Sequence, residues 1–160
     1  MSVLLVLLGA IPFALGRGMD WFLWEYPNTV VPYVWLGVGY SHRNPNTVVP
    51  YVWLGVVFLL LWGLLAFVCH RPGKTDKKWT VACLNMVGAL VVVLLFVQML
   101  LGQYWPNAVG MWTQMYFLPV LRIGFLLMPW FHRVFFAYLA GYLLMLLAAW
   151  VGCTLREKRR

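Results

Sequence analysis

The sequence predicts an all-α, polytopic integral membrane protein: one domain of four transmembrane helices with outer interfacial or re-entrant segments. Three observations carry the prediction. Two long apolar runs, Thr47–Cys69 with 23 uncharged residues and Trp79–Leu121 with 43, flank the basic turn Arg71–Lys78. A third run, Val134–Leu155, has 22 uncharged residues and ends in the basic tail Arg156–Arg160. The whole chain of 160 residues is 64% hydrophobic and 10% charged, against about 25% charged in soluble domains. Water alone cannot cover that much apolar surface, so lipid must.

The first segment, Met1–Gly16, is uncharged but reaches only about 24 Å as a helix. No Lys or Arg precedes Arg17, and Phe13 interrupts the small-residue pattern of a cleavage site, so a retained first helix is expected rather than a cleaved signal. Arg17 and Asp20 are spaced to pair at its outer end, with Trp21 and Trp24 anchoring in the headgroup layer.

Next comes a repeat. Pro27–Val38 and Pro45–Val56 both read PNTVVPYVWLGV, twelve identical residues at an offset of 18. Two copies are too few for a stacked solenoid, and the pair reads as a tandem duplication. The second copy runs into Val57–Val68 and opens a span. The first is stopped by Gly39, Ser41, His42 and Arg43, leaving too short a run to cross. It is expected outside, in the interface or as a re-entrant segment.

Thr47–Cys69 makes a helix of about 34 Å and Thr80–Leu101 one of about 33 Å, each enough for a hydrocarbon core of roughly 30 Å. Pro72 and Gly73 end the first of these helices. Gly102 to Asn107 marks the outer end of the next. Ala108–Phe131 is cut by Pro119 and Pro129 and holds Arg122, which predicts two short interfacial or re-entrant helices rather than a span. The spans are therefore about 1–16, 47–69, 80–101 and 134–155, with both termini cytoplasmic. Eight Lys or Arg then lie inside, in the turn and tail, against Arg17, Arg43, Arg122 and Arg133 outside. A bacterial cytoplasmic membrane is the expected location.

The net charge of +8 would suggest nucleic acid in a soluble chain. Here the cations flank helix ends, and no nucleic-acid partner is expected. The acids Asp20, Glu25, Asp76 and Glu157 lie in loops or at ends, which argues against an ion-coupled transporter. Asn85 and Gln98 are the polar side chains inside the third span. They stand about 140° apart around the helix, so they fit interhelical hydrogen bonds better than a polar track. Cys69, His70, Cys83 and Cys153 fall at the inner face, but no pair has ligand spacing; neither metal nor cofactor is expected.

Ala137, Gly141, Met145, Ala148 and Gly152 form a stripe of small residues, with one methionine, on the last span, which suits close helix packing against this chain or another. Arg122, His132 and Arg133 form an outer cationic group, a candidate clamp for a lipid headgroup or other anion. No catalytic residues can be assigned, and an enzyme is not the expected reading. The leading function is a membrane subunit or accessory protein packed against a partner membrane protein or itself. The alternatives are a small transport component or channel for a neutral or lipidic substrate and, more weakly, a lipid-modifying enzyme.

The repeat yields one expectation of its own. Deleting Pro27–Asn44 joins Tyr26 to Pro45 and keeps the second copy with its span. Such a chain should still enter the membrane fraction at wild-type yield, as read by fractionation and immunoblotting; loss of membrane insertion would show that the copies are not redundant.

Overall fold

The structure, a computed structural model, describes residues 2–25, 49–102, 108–126 and 134–159; at 19–25, 49–53, 108, 111, 122, 125 and 134 only the backbone is described. All regular structure among these residues is α-helical: α1 (Ser2–Leu8), α2 (Ile11–Glu25), α3 (Val49–Cys69), α4 (Lys77–Leu101), α5 (Ala108–Phe125) and α6 (Val134–Lys158). Two of these helices, α4 and α6, are long and apolar enough to cross a membrane. The first repeat copy, Trp21, Trp24 and Asp20 as side chains, and the Pro129 region lie outside what is described.

The first expected helix is broken. Pro12 has no N–H to donate to the Leu8 carbonyl, which weakens a helix begun at Ser2, and Gly9 and Ala10 form a turn there. Phe13 N donates to Ala10 O at 3.0 Å, leaving the Gly9 carbonyl to accept from the Tyr116 hydroxyl at 3.0 Å. The second part then runs on to Glu25, well past Gly16. Pro50 has the opposite effect, because it falls in the first turn of α3, where a missing N–H costs little.

The hairpin between α3 and α4 follows the sequence closely. His70 N still donates to Ala66 O at 2.9 Å, and Gly73 takes a φ of 81°, open to glycine at no steric cost. Asp76 is extended and caps α4, its carboxylate accepting from Lys78 N. The helix therefore begins at Lys77, three residues before the expected Thr80. It ends at Gly102, whose φ is 66° and whose N–H meets the Gln98 and Met99 carbonyls.

Ala108–Phe125 corrects the sequence reading. It is one helix with Pro119 inside, and it lies in the core rather than in an interface: Tyr116, Phe117 and Val120 are fully buried. Pro119 deprives the Met115 carbonyl of its helical donor. That carbonyl faces Gly16 of α2, where no side chain could fit. Elsewhere along α5, Thr113 meets Gln98 of α4, Ile123 meets Gly55 of α3, and Val120 and Gly124 meet Gly141 and Ala137 of α6. All lie in the half of the bundle away from the hairpin, so α5 occupies that half.

At the other end, Trp79 Nε1 donates to Ser2 Oγ at 3.1 Å, and Lys77 Nζ donates to Glu157 at 3.0 Å. The amino end of α1, the basic turn and the carboxyl end of α6 thus meet. The last helix runs to Lys158, three residues beyond Leu155, and packs along α3, α4 and α5. Its contact with α3 is the tightest: Gly152 faces the Gly63 carbonyl, and a Cβ on Gly63 would lie 3.0 Å from the Ala148 carbonyl.

Replacing Gly152 by alanine would press a methyl into the Gly63 carbonyl, a backbone atom that cannot turn aside. The expected loss is about 1–3 kcal/mol in detergent unfolding. Gly18→Ala, where an added Cβ meets nothing within 4 Å, should lose less than about 0.5 kcal/mol. Equal losses at both positions would remove the α3–α6 contact from its central place.

Candidate functional site

Among the described residues, His70, Thr80, Lys77 and Glu157 come together at the hairpin end. The turn just described sets His70 at the foot of α3 and places Lys77 and Thr80 in the first turn of α4. The last turn of α6 supplies Glu157. His70 is 1% exposed and Thr80 fully buried. His70 Nδ1 lies 3.3 Å from Thr80 Oγ1, and Nε2 lies 3.6 Å from Glu157 Oε1. The other oxygen, Glu157 Oε2, accepts from Lys77 Nζ at 3.0 Å. A chain Thr80–His70–Glu157–Lys77 therefore ties three helix ends together.

Hydrogen-bond inventory limits how its protons can sit. Thr80 has one hydroxyl proton and two acceptors, Asp76 O at 3.2 Å and His70 Nδ1 at 3.3 Å. In a neutral ring with Nε2–H turned to the carboxylate, Thr80 donates to Nδ1. In an imidazolium, Nδ1–H donates to Thr80, and Thr80 donates to Asp76 O. Both arrangements aim Nε2–H at Glu157, at ion-pair rather than hydrogen-bond distance. Threonine, histidine and glutamate are the residue types of nucleophile, base and orienter. Here the hydroxyl is sealed from any substrate, and the arrangement acts as a latch on the hairpin.

Glu157 itself is exposed. The Lys77 hydrogen bond holds its carboxyl below the usual range; partial desolvation opposes this, and the charges of Lys77 and His70 add to the lowering. The Lys77 ammonium also lies 4.6 Å from the Trp150 ring centroid, an arrangement in which the ring face attracts the cation.

The residues singled out in the sequence have separate positions. Asn85 is buried; its Oδ1 accepts from Trp62 Nε1 of α3 at 3.2 Å and its Nδ2 donates to Val81 O at 2.9 Å. Gln98 Nε2 donates to Thr113 Oγ1 of α5 at 3.4 Å, while Gln98 Oε1 is buried with no hydrogen-bond partner among the described residues. Ala137 abuts Gly124, and Gly141 faces Val120, both of α5; Ala148 and Gly152 meet Gly63 of α3. The small stripe is thus occupied by two helices of this chain. Arg122 belongs to α5 with only its backbone described, and His132 and Arg133 lie outside the described residues. Cys69, Cys83 and Cys153 are free thiols, and no group of three or more His, Cys, Asp or Glu among the described residues is placed to hold a metal.

Lys77, Thr80 and Glu157 were missed in the sequence. Glu157 carried a signal, being the one acid inside a basic tail. Its partner lies 80 residues away at Lys77, and spacing cannot find that.

A lowered carboxyl stabilises the fold above the unfolded carboxyl pKa of about 4.3 and loses that effect as pH falls through the folded value. Glu157→Gln should therefore lower the melting temperature at pH 7, and the gap from wild type should close below about pH 4. Thermal unfolding in detergent at both pH values measures this; a gap that persists in acid would show that charge is not what Glu157 contributes.

No protein-family model, curated protein or solved structure matches the chain.

Proposed function

We propose that the chain is a four-pass integral membrane protein that serves as a non-enzymatic subunit or accessory protein, packed against a partner membrane protein or a second copy. The observation that carries the reading is the reversed polarity of the helices. Leu60 and Leu64 on α3, Val93 and Leu94 on α4, and Leu147 and Val151 on α6 face outward. Asn85, Gln98, Thr113 and Gln114 are turned inward. A soluble bundle has the opposite arrangement, and an apolar surface this large calls for lipid or an apolar partner.

In this reading α1 and α2 together make the first pass, α3, α4 and α6 the other three, and α5 stays within the outer half. Arg71, Lys74, Lys77 and Lys78 share one end of the bundle with Arg156, Lys158 and Arg159. That single basic end supports a cytoplasmic hairpin and cytoplasmic termini. The buried amides are engaged by neighbouring helices, which suits a scaffold more than a reaction site. A second reading, a small transport component for a lipidic substrate, is favoured by an apolar groove between α3 and α6.

Topology is tested with the full chain freed of its own cysteines. A reagent that cannot cross the membrane should label Ser41→Cys in whole cells and spare Thr75→Cys until the cells are opened. The reverse pattern overturns the orientation. Affinity capture from native membranes after crosslinking should bring down a stoichiometric membrane protein or a dimer; capture of the monomer alone would overturn the subunit role.

A further inference from the structure

The groove on the outward side of α3 and α6 has a volume of about 700 Å³ and an almost wholly apolar lining. The Gly63–Gly152 contact lies at its floor, where the two backbones meet. Leu60, Leu64, Leu147 and Val151 form walls, all with substantial exposed surface. One end differs in chemistry. Lys158 and Arg159 line it, and the guanidinium groups of Arg156 and Arg159 stand 5.0 and 5.7 Å from the Phe67 ring centroid.

Length and charge together select an occupant. On α3 the groove runs from Val56 to Phe67, about 17 Å along the helix. One leaflet of the hydrocarbon core is about 15 Å, half of roughly 30 Å. The apolar part is therefore one leaflet deep, and the cations lie at its headgroup level. Among the described residues a second copy would bring seven Lys or Arg to that level against two acids, Glu157 and Asp76, each already bonded within its own chain. A zwitterionic lipid would bring its own cation with its phosphate. A lipid with net negative charge satisfies both ends.

We propose that this groove binds one anionic phospholipid of the leaflet on the basic side, an acyl chain lying on the Gly63–Gly152 floor and the phosphate between Lys158 and Arg159. Phe67 holds the neighbouring guanidinium groups over the mouth, which limits the side-chain freedom lost on binding. The inference rests on the membrane reading above but not on the subunit role.

The test is native mass spectrometry of the full chain in detergent micelles carrying equal amounts of phosphatidylglycerol and phosphatidylcholine. One phosphatidylglycerol should be retained per chain, in preference to phosphatidylcholine by about tenfold or more, the scale of a hydrogen bond to a charged group. Lys158→Ser with Arg159→Ser should abolish the preference while the chain still resists carbonate extraction from membranes. Leu147→Trp, which fills the groove and leaves the cations in place, should abolish retention of either lipid.

Equal retention of the two lipids by the wild type, or an undiminished preference in the double variant, overturns the site. A dimer that Leu147→Trp dissociates overturns it in favour of a second copy. Release of the wild type by carbonate would instead overturn the membrane reading, an outcome distinct from failure of the lipid site.

Discussion

Backbone contact between Gly63 and Gly152 is the constraint on which most of this fold depends. A side chain at Gly63 would crowd the Ala148 carbonyl, and one at Gly152 would meet the Gly63 carbonyl and push α3 and α6 apart. Their closeness brings the last turn of α6 down to the hairpin, where Glu157 reaches Lys77 and His70. It also brings Cys153 Sγ within 3.9 Å of the Ala66 carbonyl. On the outward side, the groove lies over the same close contact. A latch within the bundle and a groove on its surface are thus both tied to one pair of glycines. In the membrane reading proposed above this would matter more than hydrophobicity does, because leucine gains nothing by leaving a hydrocarbon solvent for a hydrocarbon core.

The prolines show how the same chemistry gives different structures according to what faces it. Pro12 and Pro119 each remove one helical hydrogen bond. At Pro12 the chain breaks, and the Gly9 carbonyl finds Tyr116. At Pro119 the helix continues, and the Met115 carbonyl faces Gly16. In both cases α2 and α5 are the partners, so each segment accommodates the irregularity of the other. The ring contact between Phe13 and Tyr116, with centroids 4.9 Å apart, fixes that pairing.

How much could be read from the sequence follows from the range of the interactions. The hairpin was legible because Pro72 and Gly73 sit in the turn they make; the Asp76 cap, equally local, was not read, and α4 begins three residues earlier than expected. The spacing of the small stripe on α6 was legible, since it is written along one helix. Which helices it meets was not, because Gly63, Val120 and Gly124 lie on other segments. Burial of α5 was illegible for a related reason. Proline spacing reports the missing N–H groups of α5, whereas the residues that accommodate Pro119 and cover the helix come from α2, α3, α4 and α6. The latch was illegible because two of its residues are separated by 80 positions.

Polar groups complete the account of what lies inside. Asn85 and Gln98 point to different neighbours, Trp62 of α3 and Thr113 of α5, as their separation around α4 requires. Interhelical bonds of this kind contribute about 0.6 kcal/mol on average and rarely more than about 1.7, too little to drive association alone. Their value lies in register: a helix slid by one residue would turn Asn85 away from Trp62 and leave a buried donor without an acceptor. Glycine contacts set how near the helices come, and the amides set where along their lengths they meet. Together they fix α6 against α3 and α4 closely enough for a carboxylate in its last turn to reach a histidine at the foot of α3.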